Sequence, residues 1–247
     1  MLKFSNEPLD RPLRVDEPLE ELGINSYDRL RDAIKAGDVE TALKLTDYVQ
    51  AEGKGLHDVL CDWSWALLTW IAEHEGEDKL LEVFKYSKEK ISIAFYDQLK
   101  KVKTLKQLVQ FYAEQMRAHH SGPGGKGNIK LWEEEDKFVM EFDPCGSGGR
   151  MRRRGELDKT PSRLESPFDF GKTKKKYSWS WFQKNVPYYC LHCCIWHEIM
   201  PIEATGAPIK ITEYSPDPTS PCRFVFYKKP ELVPEKYYKR VGLKKPS

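Results

Sequence analysis

Apolar residues recur at helical spacing at Tyr27, Leu30 and Ile34, and again at Val39, Leu43, Leu45 and Val49. Gly37 and Asp38 between them supply a break and an N-cap, which predicts two short antiparallel amphipathic helices. Gly53 and Gly55 punctuate the next junction. Leu56, Val59, Leu60, Trp63, Leu67, Leu68, Trp70 and Ile71 then mark a strongly apolar helix that ends near Gly76 and is expected at the centre of the core. Further helices are predicted over about 78–95 and 104–118, giving roughly five before the glycine-rich stretch 121–127, which reads as a boundary loop.

Beyond that stretch the period changes to two. Ile129 and Leu131, then Phe138, Met140 and Phe142, flank an acidic turn and predict a β-hairpin. A long basic and polar segment follows, with few apolar residues before Tyr177. A helix over about 188–200 and strands over 209–214 and 223–227, joined by a proline-rich turn, complete the pattern. The fold class expected is α+β, with an N-terminal helical half packed on a C-terminal antiparallel sheet that carries a cysteine-bearing helix. Residues 1–25, with Pro8, Pro12 and Pro18, form an extended arm; residues 26–120 are helical and 128–247 are α+β, as one cooperative unit.

Charge changes this picture little. Forty basic and thirty-eight acidic residues leave a formal charge of +2, so no global field calls for nucleic acid or a membrane surface. The N-terminus lacks an apolar signal core and every long apolar stretch is interrupted by charge, which predicts a cytoplasmic protein without a membrane partner. Self-association into a homo-oligomer is compatible with the sequence. The six cysteines include the crowded Cys190-Leu191-His192-Cys193-Cys194, a grouping that suits reduced thiols or metal ligands.

Two clusters carry candidate chemistry. If the first is helical, Cys190, Cys193, Cys194 and His197 stand near one face at i, i+3, i+4 and i+7, a donor set suited to zinc or iron, with His192 and Glu198 as acid–base groups. The competing reading is that these thiols are small buried hydrophobes. In the second cluster, Gly146, Gly148 and Gly149 after Cys145 permit positive φ and close approach of amides to an anion. There Arg150 and Arg152 would attract a small anionic ligand and activate Cys145 as a nucleophile; the competing reading is a turn with a solvated arginine face. His119 and His120 end the last N-terminal helix, where the favoured reading is histidines that complement the helix C-terminus electrostatically and the competing one is that they swing into a cleft against the second half. Economy predicts that the two clusters share one cleft.

Tyr189-Cys190 through His192 and Cys193, then Pro208-Ile209-Lys210-Ile211-Thr212, then Pro221-Cys222-Arg223-Phe224-Val225-Phe226, resemble the C-terminal third of the 4-vinyl reductase-like and L-2-amino-thiazoline-4-carboxylate hydrolase-like families. The resemblance implies an α+β small-molecule-binding fold in which Cys145, Cys190, Cys193 and Cys222 matter most. Some members are enzymes and others ligand sensors. The basic insert from Arg150 to Lys176 departs from that pattern. The expected function is a metal- or thiol-assisted hydrolase or lyase acting on a small anionic molecule; the alternative is a non-catalytic small-molecule sensor or accessory domain.

Overall fold

The computed structural model describes residues 2–7, 12–99, 101–119, 129–155 and 159–246, with no side chains described for 92–100. The architecture is α+β. The stretch 121–127, expected as a boundary loop, and His120 lie outside the described residues. The N-terminal arm is not simply extended: β1 (Phe4–Ser5) pairs antiparallel with β2 (Leu13–Arg14), and a short 3-10 turn follows at Leu19–Gly23. Helices α1 (Ser26–Ala36) and α2 (Val39–His74) come next, then α3 (Lys79–Leu99) and α4 (Leu105–His119).

Local chemistry explains the first boundary. Asn25 accepts from the Tyr27 amide at 2.8 Å to open α1, Gly37 closes it at φ 71° in the left-handed region, and Asp38 accepts from the Thr41 amide at 3.0 Å to open α2. The break expected at Gly53 and Gly55 is absent. The helix runs through both as a single 36-residue element, because a mid-helix glycine costs only about 1 kcal/mol against alanine and packing outweighs it. Lys54 contributes by donating to the carbonyls of Gly146 (2.8 Å) and His119 (3.2 Å).

The second half is built on a four-stranded antiparallel sheet in the order β3 (Lys130–Glu133), β4 (Lys137–Phe142), β6 (Cys222–Tyr227), β5 (Ile211–Glu213). The hairpin predicted around 129–142 is present, with Leu131 opposite Met140. Alternation assigns the two faces of the sheet. Met140, Phe142, Phe224 and Phe226 meet Val109, Tyr112, Ala113 and Met116, the i, i+3, i+4, i+7 stripe of α4. Val225 and Ile211 join a larger cluster containing Cys61, Trp65, Leu68 and Ala72 of α2 and Leu191, Ile195 and Ile199.

The helix expected over 188–200 is a composite. A 3-10 turn (Tyr188–Cys190) leads into α6 (Leu191–Cys194), a π-helical turn (Ile195–Ile199) and α7 (Met200–Thr205). Between β4 and this composite, α5 (Gly148–Met151) opens the basic insert, and α8 (Glu235–Lys239) closes the fold. The insert is anchored at several points, while Lys172, Lys174, Lys175 and Lys176 stay exposed. Arg163 pairs with Asp62 at 2.8 Å, Trp65 donates to the Gly171 carbonyl at 2.8 Å, and the Gly171 amide donates to Thr69 at 2.8 Å. Only Trp65 of the three α2 tryptophans is core; Trp63 and Trp70, expected inside, are exposed. No helix among the described residues is long and apolar enough to cross a membrane.

Candidate functional site

At the end of the sheet where β4 exits and β6 begins, a cavity of about 60 Å³ is lined by Cys145, Ser147, Gly148 and Gly149 from the glycine loop and by Tyr189, Cys190, His192 and Cys193 from the composite helix. Arg152, Trp181, Thr212, Tyr214, Cys222 and Phe224 complete its wall, with Met116 and His119 from α4. The two sequence clusters therefore meet on one cavity. Cys193 packs against both hydrophobic clusters, which puts it at their seam. All six cysteines are free thiols.

The glycines are there for proximity rather than for unusual dihedrals. Gly148 and Gly149 are not among the positive-φ glycines, but a Cβ on Gly148 would stand 2.7 Å from Cys190 Sγ and 3.0 Å from the Tyr189 ring. A Cβ on Gly149 would stand 3.0 Å from Cys145 Sγ. The loop thus presses its backbone onto the cysteine-bearing turn. The Gly149 amide donates to Cys145 Sγ at 3.0 Å, so that donor is already engaged.

His192 and Cys193 form the most polarised pair. The Tyr189 carbonyl lies 2.6 Å from His192 Nδ1 and so takes its N–H, which leaves Nε2 free to face Cys193 Sγ at 3.4 Å. Burial by itself pushes the Cys193 thiol up, but His192, Lys210 and a hydrogen bond with Thr212 outweigh it and bring the pKa down to about 7. His192 moves the opposite way: burial pulls it down, and the Cys193 charge and hydrogen bond raise it above its ordinary value. Each group's charge thus favours the charged form of the other, the thiol being lowered and the imidazole raised.

Lys210, which precedes β5, supplies a second cation. Its Nζ sits 3.2 Å from the centre of the Phe224 ring and 3.4 Å from Thr212 Oγ1. Burial lowers its pKa to about 8, with Cys193 and Glu198 resisting the fall. Sequence reasoning assigned no role to Lys210 or Thr212. Lys210 alternates with Ile209 and Ile211, which reads as a solvent-facing strand position, yet both Lys210 and Ile211 are buried.

Arg152 brings a buried guanidinium to the cavity wall. It is 4% exposed, its Nη1 donates to the Tyr214 hydroxyl at 2.8 Å and its Nη2 to the Asp217 carbonyl at 3.2 Å, while its buried Nε has no hydrogen-bond partner. The guanidinium lies 4.9 Å over the Tyr214 ring, which stacks on Trp181 at 5.2 Å. A buried guanidinium with a spare donor beside a cavity is poised for a carboxylate or similar anion.

Several expected roles fall away. Arg150 points from the cavity to Asp58 and donates its Nε to the Gly146 carbonyl at 3.0 Å, so it neither binds a ligand there nor stabilises Cys145; the Gly146 carbonyl is likewise held by Lys54 and Arg150. Glu198 is buried against Arg240 at 2.7 Å and accepts from Trp181 Nε1 at 3.1 Å and the Thr212 amide at 2.9 Å, a structural carboxylate rather than a proton acceptor for the cavity. Cys194 turns to the Ser178 carbonyl at 3.8 Å, and His197 Nδ1 contacts the Tyr112 hydroxyl at 3.2 Å. The ligand set Cys190, Cys193, Cys194 and His197 therefore does not converge, and among the described residues no group of three or more side chains is arranged to hold a metal. The 3-10 turn before α6 and the π turn after Cys194 interrupt the α-helical register on which that set depended.

His119 reaches the cavity wall, but burial pushes its pKa down to about 4, so it presents a neutral ring. Cys190 also lines the cavity, and burial raises its thiol well above the ordinary range. No family model, no curated protein and no solved structure matches this chain.

Proposed function

We propose that the cavity is the active site of a thiol-dependent hydrolase for a small molecule bearing a carboxylate or comparable anionic group. The observation that carries this reading is the Cys193–His192 contact, oriented by the Tyr189 carbonyl, in a cavity whose wall includes Arg152, a buried guanidinium with a partnerless Nε. Arg152 holds the anionic end. The Cys193 thiolate attacks an electrophilic carbon, forming a C–S bond while the bond from that carbon to its leaving heteroatom breaks, and the His192 imidazolium gives its Nε2 proton to the heteroatom. A water then adds its oxygen to the carbon and its proton to His192, the C–S bond breaks, and the thiolate returns; the net change is addition of one water across the cleaved bond. Lys210 favours the Cys193 thiolate before the attack and again as it leaves when the C–S bond breaks. The thiol is favoured over a metal-assisted route because the Cys193–His192 pair is assembled, whereas the expected four ligands do not converge.

The test compares iodoacetate with iodoacetamide as alkylating reagents for Cys193 in the full chain, read by mass spectrometry. Arg152 is expected to make the anionic reagent about tenfold more competitive at Cys193 than at an ordinary thiol, and Arg152→Gln to remove that advantage. Equal preference in both proteins would overturn the anion-binding role, and failure of Cys193 to react at all with either reagent would overturn the nucleophile.

A further inference from the structure

Helix α2 is apolar on two opposite sides. Cys61, Trp65, Leu68 and Ala72 form the side buried against the body of the protein. Leu56, Leu60, Trp63, Leu67 and Trp70 form the other, at successive spacings of four, three, four and three residues, with Val59 beside them. These six are 49% to 66% exposed. Such a seam is what a helix presents to another helix, and a helix apolar all round is ordinarily covered.

We infer that this stripe is the seam of a symmetric homodimer in which α2 packs antiparallel against α2 of a second copy. The stripe is close to self-complementary about Trp63. An antiparallel two-fold axis there sets Trp63 against its own copy and Leu56 against Trp70, with Leu60 one position out of register from Leu67 on the same seam. The exposed side chains amount to roughly 700 Å² per copy and roughly 1,400 Å² for a pair, inside the range of a stable protein interface.

Charge selects the occupant. From Val59 to Ala72 the only charged residue is Asp62, which is engaged by Arg163 on the body side. No lysine or arginine occurs anywhere from Gly55 to Asp78. A helix that lies in a lipid interface carries basic residues along its polar flank, and the apolar stretch of α2 from Gly55 onward has none. A charge-poor centre rich in tryptophan and leucine is the composition of a homodimer core.

Sedimentation velocity and light scattering of the full chain at micromolar concentration test the assignment. The wild type is expected at twice the monomer mass, and Trp63→Glu or Leu67→Lys to weaken association by roughly 100-fold or more, because each substitution enters the interface twice. Val39→Glu, at the far end of the same helix, is expected to leave the dimer intact. Thermal melts of the dilute variants separate loss of association from loss of folding. Trp63→Cys adds a readout independent of introduced charge: under mild oxidation its new thiol is expected to cross-link to that of the second copy, mapped by peptide mass. A monomeric wild type, or a dimer untouched by both stripe substitutions and lacking the symmetric cross-link, would overturn the inference.

Discussion

Two cysteine–histidine pairs stand on either side of Tyr189, and they are tuned in opposite directions. Cys193 lies 3.4 Å from His192 Nε2, and Cys61 lies 3.7 Å from His57 Nε2. The distances are similar and both thiols suffer burial. Yet the Cys193 pKa is brought down to about 7, whereas burial first, and then the Asp58 charge, raise Cys61 to about 11 despite a hydrogen bond with Tyr189. The third partner makes the difference. His192 is oriented by a neutral carbonyl, and the nearby Lys210 adds positive charge. His57 is bonded to the Asp58 carboxylate at 2.9 Å. Burial would raise Asp58 too, but His57, Arg150 and Lys54 hold it at about 2, so it stays ionised and spends the local positive field on itself. An imidazole near a thiol is therefore not enough; the sign of the surrounding charge decides which way the thiol's pKa moves.

The largest expected effect is in the labelling ratio of the two thiols. In a short alkylation pulse at pH 7, Cys193 is expected to react on the order of 100-fold faster than Cys61, the gap in thiolate population being partly offset by the lower intrinsic nucleophilicity of the more acidic thiol. The sign with pH follows from the folded-state values: Cys193 labelling rises as pH increases through about 7, where its thiolate forms, while Cys61 labelling stays low until pH approaches 11. Equal rates for the two would break the comparison.

Next in size is His192→Ala. Removal of the imidazole is expected to move the Cys193 midpoint upward from about 7 and slow its labelling at neutral pH by roughly tenfold, with no comparable change at Cys61. An unmoved midpoint would assign the effect to Lys210 alone. The smallest change is expected from Asp58→Asn. Without the carboxylate, Cys61 should titrate lower and label about threefold faster at high pH, read under conditions where melting shows the fold intact despite the loss of the Arg150 partner. An unchanged Cys61 rate would show that burial, with no part for Asp58, sets its reactivity.

The amino-acid sequence alone determined the broad order, a helical first half followed by a β-hairpin, a cysteine-bearing helical segment and two further strands, because the hydrophobic period is local. It changes from helical spacing in α1 to α4 to alternation in β4, and the break and cap at Gly37 and Asp38 announce themselves through local chemistry within a few residues. It also pointed to the glycine loop and the cysteine-bearing segment, whose residue types are unusual wherever they fall.

Tertiary structure decided what those residues do. Whether α2 breaks at Gly53 depended on long-range contacts such as that of Lys54 with Gly146, 92 positions away. Which arginine serves the cavity depended on the distant Asp58, which engages Arg150 and leaves Arg152 to the cavity wall. The i, i+3, i+4, i+7 argument for a metal face presumed one uniform helix, and the π turn at Ile195–Ile199 removed that presumption. Lys210 reads as surface in a strand alternation and becomes a buried cation only because the sheet is covered on both faces. Periodicity reports which way a side chain leaves its own backbone; the charge it will meet there is set by residues far away in the chain, and that charge fixes its chemistry.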